Sequence, residues 1–294
     1  MLATMVLAAG LGTRLRPLTD LLPKPIVPVG DGTALGQVLA RLAAARAAPV
    51  VVNIHHGAAR VRAAVQRQHP RVMISEEREL LGTAGGLAYA ARALGEGNVL
   101  VWNADCLVDV DLDRLVGDHV AAGAEATLVV RRRPPGEGPV GLDEGGGVVR
   151  LRGERFAGET SGGDFLGVHV IGRSLRSRLP PVGCVMADVY IPAMMRGASL
   201  RAVPYDGPFV DIGTPRSYLD ANLAWLERHA PGGHWVGAGA DVSSSVSIER
   251  AVVGVGAFVR GHGLLERCVL WPGATAIAPL KDAIVAGDLV VRIE

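Results

Sequence analysis

Residues 10–25 hold the densest set of groups able to bind phosphate. They read Gly10-Leu11-Gly12-Thr13-Arg14-Leu15-Arg16-Pro17-Leu18-Thr19, then Asp20-Leu21-Leu22, then Pro23-Lys24-Pro25. Glycines after a strand let the backbone approach an anion closely and present N–H donors. Arg14 adds a planar, permanently charged fork that fits phosphate oxygens. Lys24 adds a compact point charge, with a proline on each side to stiffen the backbone. Lysine is scarce in this chain: Lys24 and Lys281 are the only two among 30 basic side chains, the others being arginine. Two familiar loops are excluded. A dinucleotide fingerprint needs a third glycine where Leu15 stands, and the Gly-Lys-Ser/Thr of a Walker loop is absent. Two acidic positions complete the inventory. Asp105 follows Asn103-Ala104 at the end of an apolar run, and Asp211 lies in Val210-Asp211-Ile212-Gly213-Thr214-Pro215. Carboxylates suit Mg²⁺, a hard cation that takes one or two of them beside substrate phosphates. Taken singly, either aspartate is also an ordinary cap or turn residue.

The motifs must be positioned by elements that the apolar pattern makes legible. Residues 2–9 form a continuous apolar run ending in glycine, which suits a buried parallel strand and not a signal peptide. Strands are expected at 50–54, 71–74, 98–102, 126–131 and 165–171. Helices are expected at 34–47, 57–67, 84–94, 185–196 (with Pro192 as an interruption) and 214–229, the last after a Thr-Pro start. Residues 132–164 read as a loop-rich region. The alternation predicts an α/β fold with a doubly wound, mainly parallel, Rossmann-like sheet over residues 1–230. From 236 on, apolar residues step by six: Val236, Val242, Ile248, then Val253, Val259, Leu265. That spacing predicts a small left-handed β-helix over 236–294, against the plainer alternative of a few capping strands.

The loop, the Pro-Lys-Pro segment and the two aspartates together make residues 2–229 resemble the sugar-phosphate nucleotidyltransferases. The resemblance implies transfer of a nucleotidyl group from a nucleoside triphosphate to a sugar 1-phosphate. It implies that Leu7, Ala9, Gly10, Gly12, Thr13 and Arg14 hold the nucleotide. Arg14 and Lys24 become the catalytic cations, and Asp105 and Asp211 the Mg²⁺ ligands. Gly82 and Thr83, in Glu79-Leu80-Leu81-Gly82-Thr83-Ala84-Gly85-Gly86, correspond to the loop against base and ribose. This Gly-Thr-Ala-Gly looks most like mannose-1-phosphate guanylyltransferases, whereas the short 103–211 region also resembles N-acetylmuramate-1-phosphate uridylyltransferases. Asn103, Gly141, Glu154 and Gly167 are the implied sugar contacts. Many relatives carry Glu-Lys-Pro before the Gly167 strand; here Glu154-Arg155 takes that place, with a solvated charged loop as the alternative. The tail resembles hexapeptide-repeat extensions, implying subunit association into a homo-oligomer or cover of the main domain.

Composition narrows the classes. Net charge is +1 and aromatics are 4%. Neither a nucleic-acid surface nor a base-stacking platform is expected, and no apolar run reaches the ~18 residues of a membrane span. Three widely spaced cysteines fit no disulfide framework and suit a reducing cytoplasm. A non-catalytic sensor or scaffold relative would have lost Arg14, Lys24 or the aspartates. A glycosyltransferase would show Asp-x-Asp at a strand end. Asp109-Val110-Asp111 has that form but lies beyond the apolar run. His55, His56 and His169 lie on or beside predicted strands, where packing or hydrogen bonding is expected.

Overall fold

Val50-Val51-Val52-Asn53-Ile54 is buried along its whole length, as β-branched residues covered on both sheet faces should be. In the computed structural model, which describes residues 2–293, it lies beside the strand Ala3–Leu7 and parallel to it. The chain divides into two compact units. One comprises Met1–Gly10 with Val38–Phe209, the other Leu11–Gln37 with Val210–Glu294.

The first unit is built on a 10-stranded mixed sheet. Its parallel part runs Met73–Glu76, Val50–Ile54, Ala3–Leu7, Val99–Asn103. Ser161–Ile171 then pairs antiparallel to Val99–Asn103. That long strand also carries Ala126–Arg133 and Val140–Leu142. Met5, Val101, Leu128 and Val130 from the strands join Leu87, Leu94, Val189 and Tyr190 from the helices in one buried core. A truncation such as Leu128→Ala costs about 2–5 kcal/mol at such a site.

The expected elements are present, with two additions. Residues 132–164 are loop-rich, as expected, but also contain the short strands Val140–Leu142, Val148–Leu151 and Glu154–Arg155. Their brevity and the surrounding Gly and Pro hide them, and a buried arginine, Arg150, breaks the apolar pattern. A helix, Leu112–Ala121, follows Asp111. One of its two buried positions is His119, hydrogen-bonded to Thr127 at 2.9 Å, so its apolar face is narrow. At Pro192 the expected interruption is a change of helix type: the π-helix Val185–Tyr190 runs directly into the α-helix Ile191–Met195, with Pro192 at the junction.

In the second unit, the six-residue steps become the rungs of stacked parallel coils. Val236 pairs with Val253, and Val253 with Leu270. Val242 pairs with Val259, and Ile248 with Leu265. Leu289–Arg292 closes the stack as an antiparallel strand. The helix Pro215–His229 begins with a capping box between Thr214 and Ser217. Its Tyr218 hydroxyl donates to the Pro28 carbonyl (2.5 Å) and accepts from the Trp271 indole N–H (2.9 Å). Asn222 accepts from the Gly30 N–H at 2.9 Å. Gly30 has φ +59°, and a Cβ there would lie 2.1 Å from the Trp225 ring. The helix therefore ties the 28–30 turn to the coils.

His169 is buried and neither ring nitrogen has a hydrogen-bond partner. It packs between Phe165 and Tyr190, each with its ring centroid at 5.6 Å. Burial pushes its pKa from 6.5 down to about 3. The unfolded chain therefore takes up a proton that the folded one refuses. The stability contributed by neutral His169 is present above the unfolded value and is lost as pH falls below it. The slope reaches about 1.4 kcal/mol per pH unit. Between pH ~6.5 and ~5 the parent should lose about 1.6 kcal/mol more than His169→Phe. Denaturant midpoints across that range check this, and parallel curves would refute it.

Candidate active site

The second unit carries the cations and one carboxylate. After Gly12, at φ +67°, Thr13–Leu15 makes a single 3-10 turn. A Cβ on Gly12 would fall 2.9 Å from Lys24 Cβ and 3.0 Å from Thr19 Cγ2, so the glycine lets the loop pass against the lysine. Thr19 fastens the same turn, its hydroxyl donating to the Gly12 carbonyl at 3.0 Å. Lys24 opens the turn Lys24–Ile26, whose Pro25 and Ile26 are buried. Arg14 and Asp211 lie side by side, Nη2 to Oδ2 at 3.9 Å, and both are exposed, at 68% and 42%. Gly213 makes room for them: its Cβ would sit 3.1 Å from both Arg14 Nη1 and Asp211 Oδ2. So exposed a pair contributes about 0–1 kcal/mol to stability.

In the first unit, Leu7 stands in register with Asn53 on one side and Asn103 on the other. All three are at the carboxyl ends of parallel strands, where open α/β sheets bind ligands. The Ala104 N–H donates to the Leu7 carbonyl at 3.0 Å. Ala9 is buried. Gly10 meets nothing within 4 Å where a Cβ would project, so packing among the described residues does not demand glycine there. Asn103, Gly167 and the Asp105–Cys106 turn come together. Gly167 has φ +75°, and its Cβ would fall 2.4 Å from Cys106 Sγ and 3.0 Å from Asn103 Nδ2.

Gly82 and Thr83 open the helix Gly82–Tyr89. Gly82 has φ +73° and faces the Gly183 carbonyl. The Thr83 hydroxyl accepts from the Val185 N–H at 2.8 Å, and the Gly183 carbonyl accepts from the Ala84 N–H at 2.9 Å. The turn is thus clamped by residues 183–185. Gly141 lies against a buried ion pair, Arg150 Nε to Glu159 Oε2 at 2.7 Å, and a Cβ on it would overlap Glu159. The Arg150 hydrogen bond holds the Glu159 carboxyl below its usual range. Glu154 is exposed, paired in the hairpin opposite Leu151. Arg155 points to Glu159 at 3.8 Å.

Asp109, Asp111 and His55 have structural partners. Asp109 pairs with Arg41, and Asp111 caps Leu112–Ala121 by accepting from the Arg114 N–H at 3.0 Å. His55 Nδ1 lies 3.0 Å from the Glu77 carbonyl. Sequence reasoning missed Asn53, Glu77, Arg150 and Glu159. A polar side chain within a short apolar strand, as at Asn53 and Arg150, was the available clue.

Residues 3–152 match the model of the nucleotidyl transferase family. The chain is similar to a mannose-1-phosphate guanyltransferase of Schizosaccharomyces pombe, 29% identical over 243 residues, covering 77% of this chain and 66% of that protein. It is also similar to the N-acetylmuramate alpha-1-phosphate uridylyltransferase of Caulobacter vibrioides, 32% identical over 241 residues, covering 76% of this chain and 96% of that one. It thus spans about two thirds of the first relative and nearly all of the second. Its fold is like that of HddC from Yersinia pseudotuberculosis, solved in complex with GMP-PN. The TM-score is 0.65 at 20% identity, covering 76% of this chain and all of that one.

Gly167→Ala should destabilise the protein by at least about 1 kcal/mol, from positive φ and collision with Cys106 together. Adding Cys106→Ala should restore part of the loss, the steric part. Denaturant midpoints of the single and double variants decide it; no recovery in the double variant would place the strain elsewhere.

Proposed function

This chain belongs to the nucleotidyl transferase family, and on that premise we propose that it joins a nucleoside triphosphate and a sugar 1-phosphate into a nucleotide-diphosphate sugar, releasing pyrophosphate. One observation carries the proposal. Arg14, a phosphate-binding cation, and Asp211, an oxygen donor, are exposed at 3.9 Å from each other with Gly213 clearing the space beside them.

In the proposed reaction a sugar phosphate oxygen attacks the α-phosphorus. The bond from that phosphorus to the bridging oxygen breaks, and pyrophosphate leaves with the electron pair. A phosphate monoester is already an anion at neutral pH, its second pKa being about 6, so no histidine or cysteine base is required. The protein's work is alignment and neutralisation of charge. Leu7, Ala9, Gly10, Gly12 and Thr13 would present the backbone to the nucleotide, with Gly82 and Thr83 against base and ribose. Arg14 and Lys24 would meet the charge on the phosphates. Asn103, Gly141, Glu154 and Gly167 are the proposed sugar-side residues. Asp105 and Asp211 supply only oxygen donors, which suits Mg²⁺. That ion would neutralise phosphate charge when bound.

Gly-Thr-Ala-Gly and the guanyltransferase relatives favour mannose 1-phosphate with GTP. A uridylyltransferase acting on N-acetylmuramate 1-phosphate is the second reading. It is favoured by the Caulobacter relative, 96% of whose length is matched. Pyrophosphate release from a panel of triphosphates and sugar 1-phosphates with Mg²⁺ separates them. Release with UTP and not GTP would overturn the first reading, and no release with any pair would favour a non-catalytic relative.

Lys24→Ala should lose turnover by about 100-fold or more, the scale for removing one electrostatic contact to developing charge. Its melting temperature should stay near the parent's. A folded variant with near-normal turnover would remove Lys24 from the machinery.

A further inference from the structure

Asn53 and Glu77 are polar residues buried beneath the carboxyl ends of the parallel strands, 2% and 3% exposed. Asn53 Oδ1 accepts from the Ala8 N–H at 2.7 Å. Asn53 Nδ2 donates to Glu77 Oε1 at 2.7 Å. Glu77 Oε2 accepts from the Leu81 N–H at 3.1 Å. The chain of bonds works in one direction only, because a carboxylate accepts and a backbone N–H donates. Ala8 begins the glycine loop, and Leu81 immediately precedes Gly82-Thr83. The two segments are far apart in sequence and are joined here by two side chains. Gly86 is shaped to the same pair: a Cβ on it would lie 2.7 Å from Glu77 Oε1 and 2.8 Å from Asn53 Nδ2.

From this connected set of buried bonds, we propose that Asn53 and Glu77 are positioning residues that fix the phosphate-side loop at Ala8 and the base-side loop at Leu81 relative to each other, so that one nucleotide spans both. The assignment rests on the reading of those loops as the nucleotide site. Neither residue touches the nucleotide. Each satisfies a backbone N–H that would otherwise open the loop it anchors. The three bonds act in series, so breaking any one releases the coupling and breaking more adds little.

The test is equilibrium binding of GTP and of UTP to the parent, Asn53→Ala, Glu77→Gln and the double variant. Glu77→Gln keeps the shape but turns an NH₂ toward one of the two donors. Each single variant should weaken binding of the preferred triphosphate about tenfold, the equivalent of one buried hydrogen bond. The double variant should be weaker than the singles by no more than about twofold. At saturating triphosphate the KM for the sugar 1-phosphate should stay at the parent value, which general loosening of the fold would not allow. Unchanged triphosphate affinity, additive losses or an equal rise in the sugar phosphate KM would each overturn the assignment. If a variant does not fold, Gly86→Ala presses on the pair from outside and should give the same selective loss; full affinity there also overturns it. A parent that binds neither triphosphate overturns this assignment together with the reading beneath it, whereas a binding parent with unaffected variants overturns this assignment alone.

Discussion

The first unit depends on how its backbone is satisfied where parallel strands stop. Ala3–Leu7 is flanked on both sides by parallel neighbours, and beyond Leu7 the ladder ends. A buried N–H left there would cost about 1–3 kcal/mol. Asn53 answers Ala8 from one side, and the Leu7 carbonyl receives Ala104 from the other. Both solutions leave the following glycines uncommitted to the sheet. The ligand-binding end of an open α/β sheet is thus also its least self-sufficient end, and buried polar side chains there serve the loops more than the core.

The second unit solves a related problem with a helix. The stretch 28–30 has only a two-residue pairing of its own, Pro28–Val29 with Gly32–Thr33, and its Gly30 accepts no side chain. Tyr218 and Asn222, one turn apart on Pro215–His229, bind its backbone, while Trp271 from the coils completes the Tyr218 hydroxyl. Upstream of this anchored turn lie Arg14 and Lys24, and just before the helix lies Asp211. The coils therefore have a local mechanical role in their own unit: they brace the helix that braces the cation-bearing segment. Lys281, the second lysine, has the plainer task of pairing with Glu266 at 2.9 Å on the coil surface.

Much of this was legible in residue order. The strands at 50–54 and near 2–9 follow from continuous apolar runs, and the coil rungs from six-residue steps that become the registers Val236 to Val253 and Val242 to Val259. Gly12 and Gly167 stood out in the sequence only as expected backbone contacts to nucleotide and sugar; their φ values and close contacts add a packing reason for glycine. What stayed hidden depends on pairing across sequence. The strands within 132–164 are held in part by Arg150 with Glu159, and no periodicity reports an ion pair closing a short hairpin. Asn53 and Glu77 are separated from the segments they hold by strands and turns. Asp109 and Asp111 have a metal-binding spacing, yet the local demand for a helix cap and an arginine partner takes both.

The distribution of perturbed ionisation makes a last distinction. Groups displaced far from their ordinary values often mark active sites, but here the largest displacements lie in cores. His169 is pushed down to about 3, Cys268 up to about 11, and Tyr190 and Tyr218 well upward, each mainly by burial. None neighbours the glycine loop in sequence, and His169 and Tyr190 pack edge to face. A search for a tuned acid or base would therefore end in packing. The residues proposed to act are instead an exposed arginine, a lysine between prolines and two carboxylates. Such groups suit a reaction whose nucleophile arrives already charged. What the protein must then provide is fixed position for permanent charges, and the effort visible in the fold goes there: glycines that let segments pass, buried amides and carboxylates that hold loop ends, and a helix that anchors the turn downstream of the cations.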